Sequence, residues 1–299
     1  MDELLKKIFF HIMVSIFLKL GKILKKEQLP AVSRFLGDIF YKIPWKRKYI
    51  ALENLKKAFE EEYSERQLKG FLKDFYKEII LMIFEICNNV TQRESLLPWV
   101  KAYGIEYLDR ALEKGRGVIA ISGHLGNVPV MLAWFAEQGY PIAVLFKEGE
   151  YLPKNFLKNL IKSYNIYPIP FISDKDVPKE IIKALNKNMI VFILADQARR
   201  GVYAKFFGKY VLCQRGAFVI ARRKNSPVVP IFIVREDDKY SLIIYPDISI
   251  DNTDLNKVFF ERDITILIER YNELLENLIR KYPDQYYWFH RRFKNMKNH

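Results

Sequence analysis

His124 is the residue of this sequence best placed to do chemistry. It stands in Gly123-His124-Leu125-Gly126-Asn127, after the apolar run Gly117-Val118-Ile119-Ala120-Ile121-Ser122 and before a helical stretch. That order predicts a strand, a turn and a helix, with the imidazole at the carboxyl end of the strand. Imidazole titrates closer to neutrality than any other side chain, so it can take a proton from a hydroxyl and give it back. Gly123 and Gly126 leave room for a substrate beside it, and Asn127 is placed to contact that substrate. A lone histidine is more often a structural residue than a catalyst; the strand end and the glycines bring the two readings level. Asp196-Gln197 follows a second apolar run, Met189 to Leu194, and precedes Arg199-Arg200. Those four residues suit a phosphate-bearing headgroup, and the alternative is a solvated loop.

The elements that must position these groups alternate in type. Further apolar runs at 142–146, 228–234 and 240–245 predict strands, and helical patterns at 179–186 and 216–224 lie between runs. Strands alternating with helices predict an α/β fold with a mixed, largely parallel sheet flanked by helices. In such sheets reactive groups gather at the carboxyl ends of strands, where both His124 and Asp196 fall. A last helix is expected over 263–281, followed by the aromatic-basic tail Tyr286-Tyr287-Trp288-Phe289-His290-Arg291-Arg292-Phe293-Lys294.

The first hundred residues have a different texture. Leu52, Leu55 and Phe59 share one face of an amphipathic helix, and Ser64 with Gln67 forms a capping-box pattern opening the next. Residues 1–100 therefore read as a helical, membrane-associating region and 101–299 as the α/β core, in one continuous domain. The apolar run from Ile8 to Leu18 is bounded by lysines and spans roughly 16 Å as a helix, about half a bilayer core. It is expected to lie in the interface, not to span it, with a buried core helix as the alternative. No cleavable signal is expected.

Composition narrows the partners. Half of the 299 residues are hydrophobic, and 49 Lys+Arg against 35 Asp+Glu give a net charge of +14. The excess suits anionic lipid or an acidic carrier. It would also suit nucleic acid, but no nucleic-acid motif is present and the basic residues flank apolar segments. Two cysteines make neither a disulfide framework nor a metal site.

Several segments together resemble one family. Ile121-Ser122-Gly123-His124-Leu125-Gly126-Asn127 is similar to the signature of the bacterial lipid A lauroyl/myristoyl acyltransferases, within the lysophospholipid acyltransferase superfamily. Asn54-Leu55 with Ala58-Phe59, Leu194-Ala195-Asp196-Gln197 with Phe206-Phe207-Gly208, Pro227 to Pro230 and Pro283 to Phe293 resemble its other blocks, in order. The resemblance implies an enzyme that moves a fatty acyl chain from acyl carrier protein or acyl-CoA to a hydroxyl of a membrane glycolipid resembling a lipid A precursor. It implies His124 as general base, no cofactor and no metal. It also implies residence on the cytoplasmic face of the inner membrane, peripheral or monotopic.

The sequence departs from the family at one point of consequence. The family carries a carboxylate five positions after the histidine, where this chain has Pro129. Two readings follow. Another carboxylate orients His124, with Glu148 the first choice, Asp196 the second and Glu150 also a candidate; or the protein is an impaired or inactive lipid-binding member of the fold. Lys147 stands where the family often has arginine. It keeps the charge but loses the bidentate fork, and serves either substrate phosphate or the solvated surface.

Overall fold

The computed structural model describes residues 15–17, 19–21, 23–59, 62–92, 95–147, 156–171, 173, 176–250, 257–294 and 296. Most of the apolar run from Ile8 to Leu18, and both Glu148 and Glu150, lie outside these residues.

Three helices lead the chain: α1 (Leu29–Lys42), α2 (Lys46–Phe59) and α3 (Glu65–Gln92). The capping box at the start of α3 forms in both directions. The Ser64 backbone N–H donates to Gln67 Oε1 at 2.9 Å, and the Gln67 N–H donates to Ser64 Oγ at 3.4 Å. α1 lies closely on α3 at Gly37, where a Cβ would stand 2.8 Å from the Lys77 Cα. Leu29, Ile80, Leu81 and Phe84 form the small core between these two helices.

The rest of the chain runs β1 (Val100–Tyr103), α4 (Ile105–Glu113), β2 (Val118–Ser122), α5 (Val128–Glu137), β3 (Ile142–Phe146), α6 (Phe156–Ser163), β4 (Tyr167–Pro170), α7 (Val177–Asn186), β5 (Ile190–Leu194), β6 (Val202–Phe206), β7 (Lys209–Cys213), α8 (Gly216–Lys224), β8 (Val228–Glu236), β9 (Lys239–Ile244) and α9 (Lys257–Lys281). Seven strands form one sheet in the order β1-β9-β8-β2-β5-β3-β4, and β6-β7 is a separate hairpin. β8, β2, β5, β3 and β4 are mutually parallel, while β9 runs against β8 and pairs in parallel with β1. This is the mixed, mostly parallel sheet expected from the alternating elements.

Burial on both faces explains why the inner strands are continuous apolar runs. Along β2, Ile119 and Ile121 enter the core under α2, α7, α8, α9 and the C-terminal tail. Val118 and Ala120 enter the core under α4 and α5. The aromatic-basic tail is part of the first core: Tyr286, Trp288, Phe289 and Phe293 are buried. Among the described residues, no helix is long and apolar enough to cross a membrane.

The candidate active site

Sheet register makes the site. β2 and β5 are parallel neighbours with Ser122 opposite Leu194. His124 and Asp196 each stand two residues past those paired positions, so the two turns bring them together at the carboxyl ends of two inner strands. Asp196 Oδ1 lies 2.7 Å from His124 Nδ1, and the His124 backbone N–H donates to Asp196 Oδ2 at 3.2 Å. The carboxylate therefore grips the ring and the main chain of the same residue. Tyr271 closes the turn from below by donating its hydroxyl to the Ser122 carbonyl at 2.8 Å.

The electrostatics agree with the geometry. Asp196 is 1% exposed. Burial pushes its carboxyl up, but the His124 ring and N–H, together with Arg292, hold it down at about 2. An ionised carboxylate can only accept, so Nδ1 must donate, and the lone pair is left on Nε2. Burial pulls the His124 ring down, and the Asp196 charge more than reverses this, so its pKa stands above the ordinary value. The ring remains 34% exposed.

The turn holding His124 has little freedom. Gly126 has φ +63°, and a Cβ there would stand 1.9 Å from the Ile233 carbonyl oxygen. The Gly126 N–H donates to the Gln285 carbonyl at 3.0 Å, and the Tyr287 N–H donates to the His124 carbonyl at 2.9 Å. The C-terminal tail thus pairs with the turn that holds His124.

Asn127 is used from within. It caps α5, with Oδ1 accepting from the Val130 N–H at 3.4 Å. Its amide lies 3.2 Å from Glu85 Oε2 and 3.1 Å from the Tyr240 hydroxyl. Arg235 binds Glu85 at 2.6 Å and Glu78 at 3.1 Å, and it also meets Tyr240. Pro129 occupies the first turn of α5, where proline's missing N–H removes no helical hydrogen bond.

A cavity of about 1250 Å³ lies beside the His124 ring. Its walls are mostly apolar: Phe75, Ile79, Met82, Ile83 and Ile86 of α3, Leu132 and Ala133 of α5, the end of β3, and Ile161 and Ile166. Lys147, Arg199 and Arg200 line it as exposed side chains. Gln197 lines it too, 3.3 Å from His124 Nδ1. His124, Asp196 and Gln197 are therefore assembled, and the three cations share the cavity. Gly123 packs against Leu275 of α9. Reading the sequence missed Tyr271, the Glu85–Arg235–Tyr240 network and the tail residues His290 and Arg292. Only the tail left a signal, its run of aromatic and basic residues.

Residues 3–295 match the family model described as bacterial lipid A biosynthesis acyltransferase. The chain is 24% identical over 265 residues to a lipid A biosynthesis palmitoleoyltransferase of Escherichia coli (strain K12), covering 83% of this chain and 79% of that protein. It is 23% identical over 267 residues to a lipid A biosynthesis lauroyltransferase of the same organism, covering 87% and 83%. A lipid A biosynthesis acyltransferase of Shigella flexneri is similar to the same degree as the palmitoleoyltransferase, 24% over 265 residues, covering 83% of this chain and 79% of that protein.

Proposed function

The chain belongs to the bacterial lipid A biosynthesis acyltransferase family, and from that premise we propose that it transfers a fatty acyl chain from a carrier thioester to a hydroxyl of a lipid A precursor-like glycolipid, with His124 as general base. The observation that carries the reading is the 2.7 Å pairing of His124 Nδ1 with the buried, ionised Asp196. That pairing presents a basic Nε2 beside an apolar cavity suited to an acyl chain.

The chemistry balances without a cofactor. The acceptor hydroxyl gives its proton to Nε2 as its oxygen attacks the thioester carbonyl. The tetrahedral intermediate collapses with cleavage of the C–S bond, and the departing sulfur takes the proton from the imidazolium. Asp196 fixes the tautomer and stabilises the imidazolium between these steps. The products are the acylated lipid and the free thiol of acyl carrier protein or coenzyme A. Lys147, Arg199 and Arg200 are the groups in this scheme for the phosphates of donor or acceptor.

The inactive-member reading rests on Pro129. Asp196 supplies an orienting carboxylate from another strand, which favours the active reading. His124→Ala is expected to lower transfer from acyl carrier thioester to lipid A precursor by at least about 10²-fold while leaving the circular dichroism unchanged. Near wild-type turnover by that variant would overturn the assignment.

The proposed site of action is the cytoplasmic face of the inner membrane. Phe35, Ile39 and Ile43 form an exposed stripe along and just beyond α1, continued by Trp45 and Tyr49. Arg34, Lys42, Lys46 and Lys48 are interspersed with them. Apolar and aromatic side chains among cations suit an anionic lipid surface.

A further inference from the structure

A second histidine shares the cavity with His124. His290 lines it from the C-terminal tail. Its Nδ1 is buried and has no hydrogen-bond partner among the described residues. A buried polar atom left unpaired is costly and asks for an explanation.

The backbone around His290 is held on all sides. Asn54 of α2 donates its amide to the carbonyls of both Trp288, at 2.7 Å, and His290. Arg47 donates to the Phe289 carbonyl at 3.0 Å, and the Arg292 N–H donates to the His290 carbonyl at 2.8 Å. None of these contacts uses the imidazole. The fold thus fixes the backbone that carries the ring, and Nδ1 is left without a hydrogen bond among the described residues.

Charges of both signs act on the ring. Burial lowers the His290 pKa, and although Asp196 pulls it up, Arg292, Arg47 and a charged His124 push it further down. The ring is then neutral near pH 7 and carries one N–H. Several other uncharged polar side chains along the cavity are committed. The amides of Asn127, Gln214 and Gln285 are spent on main chain and on Glu85 and Tyr240.

Acyl transfer places negative charge on the thioester carbonyl oxygen, and a fixed donor beside a low-dielectric cavity stabilises that charge. We propose that His290 is a second catalytic residue, whose imidazole N–H donates a hydrogen bond to that carbonyl oxygen as the acceptor hydroxyl attacks. The inference rests on the general-base reading of His124. The two histidines divide the work: His124 moves the proton, and His290 holds the oxygen that gains charge. His290 neither gains nor loses a proton in the cycle.

The test uses the full chain in detergent with lauroyl thioesters and a lipid A precursor. His290→Ala is expected to lower kcat by about 10²–10³-fold with both KM values little changed. His290→Gln, which keeps an N–H donor, is expected to recover at least about 10-fold of that loss. The acid limb of the pH profile, set by His124, is expected to stay in place in both. An Ala variant within about 3-fold of wild type, or a Gln variant no better than Ala, overturns the proposal. A second measurement separates this from failure of the general-base reading. The chain has only four histidines, so side-chain ¹⁵N spectra can follow His290 as a ketone analogue of lauroyl-CoA is added, with a methylene in place of the sulfur. A shifted His290 signal in a protein that transfers nothing would keep the contact and sink the reading of His124. An unshifted signal in an active protein would do the reverse.

Discussion

Asp196 holds His124 by two contacts at once, ring nitrogen to Oδ1 and backbone N–H to Oδ2. The loss of either oxygen's charge should therefore be felt both in the tautomer of the ring and in the shape of the turn. Asp196→Asn is expected to lower kcat/KM by about 10²–10⁴-fold, the range for an orienting carboxylate removed from such an arrangement. Steady-state transfer assays on a variant with wild-type circular dichroism would measure it. Turnover within a few-fold of wild type would show that His124 works without its acidic partner.

Pro129→Glu restores the carboxylate at the family's usual spacing, and the structure gives reason to expect no gain. Asp196 already occupies Nδ1, and position 129 sits in the first turn of α5. An acidic residue there suits the helix N-terminus, so stability should change by less than about 0.5 kcal/mol. The double variant Pro129→Glu, Asp196→Asn is expected to stay as slow as Asp196→Asn alone. A several-fold rescue would show that the turn can use either carboxylate.

The pH dependence follows from the directions of two shifts. His124 must be neutral to accept a proton, and its pKa is raised above the ordinary value. Activity should therefore fall on acidification through that raised pKa. Burial lowers the ring and Asp196 raises it, so Asp196→Asn should move the acid limb to lower pH. The stability signs are opposite for the two partners. The raised His124 contributes stability that is fully present below its unfolded pKa and lost as pH rises through the folded one. The depressed Asp196 contributes stability that is present above 3.8 and lost as pH falls toward about 2. Chemical unfolding across pH 2–8 would show both.

The sequence made the inner sheet plain and left its edges obscure, for physical reasons. β2, β3, β5 and β8 are buried on both faces, so each is a continuous apolar run. β4 reads Tyr167-Pro168-Ile169-Pro170, and two prolines hide a strand unless it lies at an edge, as this one does. The β6-β7 turn places Phe207 at φ +50° ahead of Gly208, a conformation a phenylalanine rarely signals. That Asp196 stands only second among the candidate carboxylates has a similar origin. β3 follows β2 in the chain, but β5 inserts between them in the sheet. Strand order is a long-range property that no local pattern carries, and it puts Asp196, just past the end of β5, next to His124.

Arg235 lies between Glu78 and Glu85 of α3, under the helix cap made by Asn127. Burial pushes the Glu78 carboxyl up despite the arginine's opposing pull. Arg235→Met would leave two largely buried carboxylates facing each other without a cation. It is expected to cost about 3–5 kcal/mol in urea unfolding. A loss below about 1 kcal/mol would mean that water or protonation of a glutamate replaces the arginine at little cost.

The stripe of Phe35, Ile39 and Ile43 offers the sharpest test of membrane attachment, because it can be removed without touching the core. Phe35 is 67% exposed, and all three side chains point away from the α1–α3 contact made by Leu29 and Gly37. Serine at all three positions should therefore change folding stability by about 0.5 kcal/mol or less per site. In lipid the same side chains would each bury apolar surface worth roughly 25 cal/mol per Å², so their combined loss should weaken vesicle binding by about 10²-fold or more. Co-sedimentation with anionic vesicles at high salt isolates this apolar contribution, since the cations among these residues are then screened. Activity separates attachment from catalysis. α3 packs on α1 and also walls the cavity, but the stripe itself lies outside it. The triple variant should thus keep its turnover on detergent-dispersed substrate and lose it on vesicles. Unchanged vesicle binding would place the membrane contact on another surface of the protein.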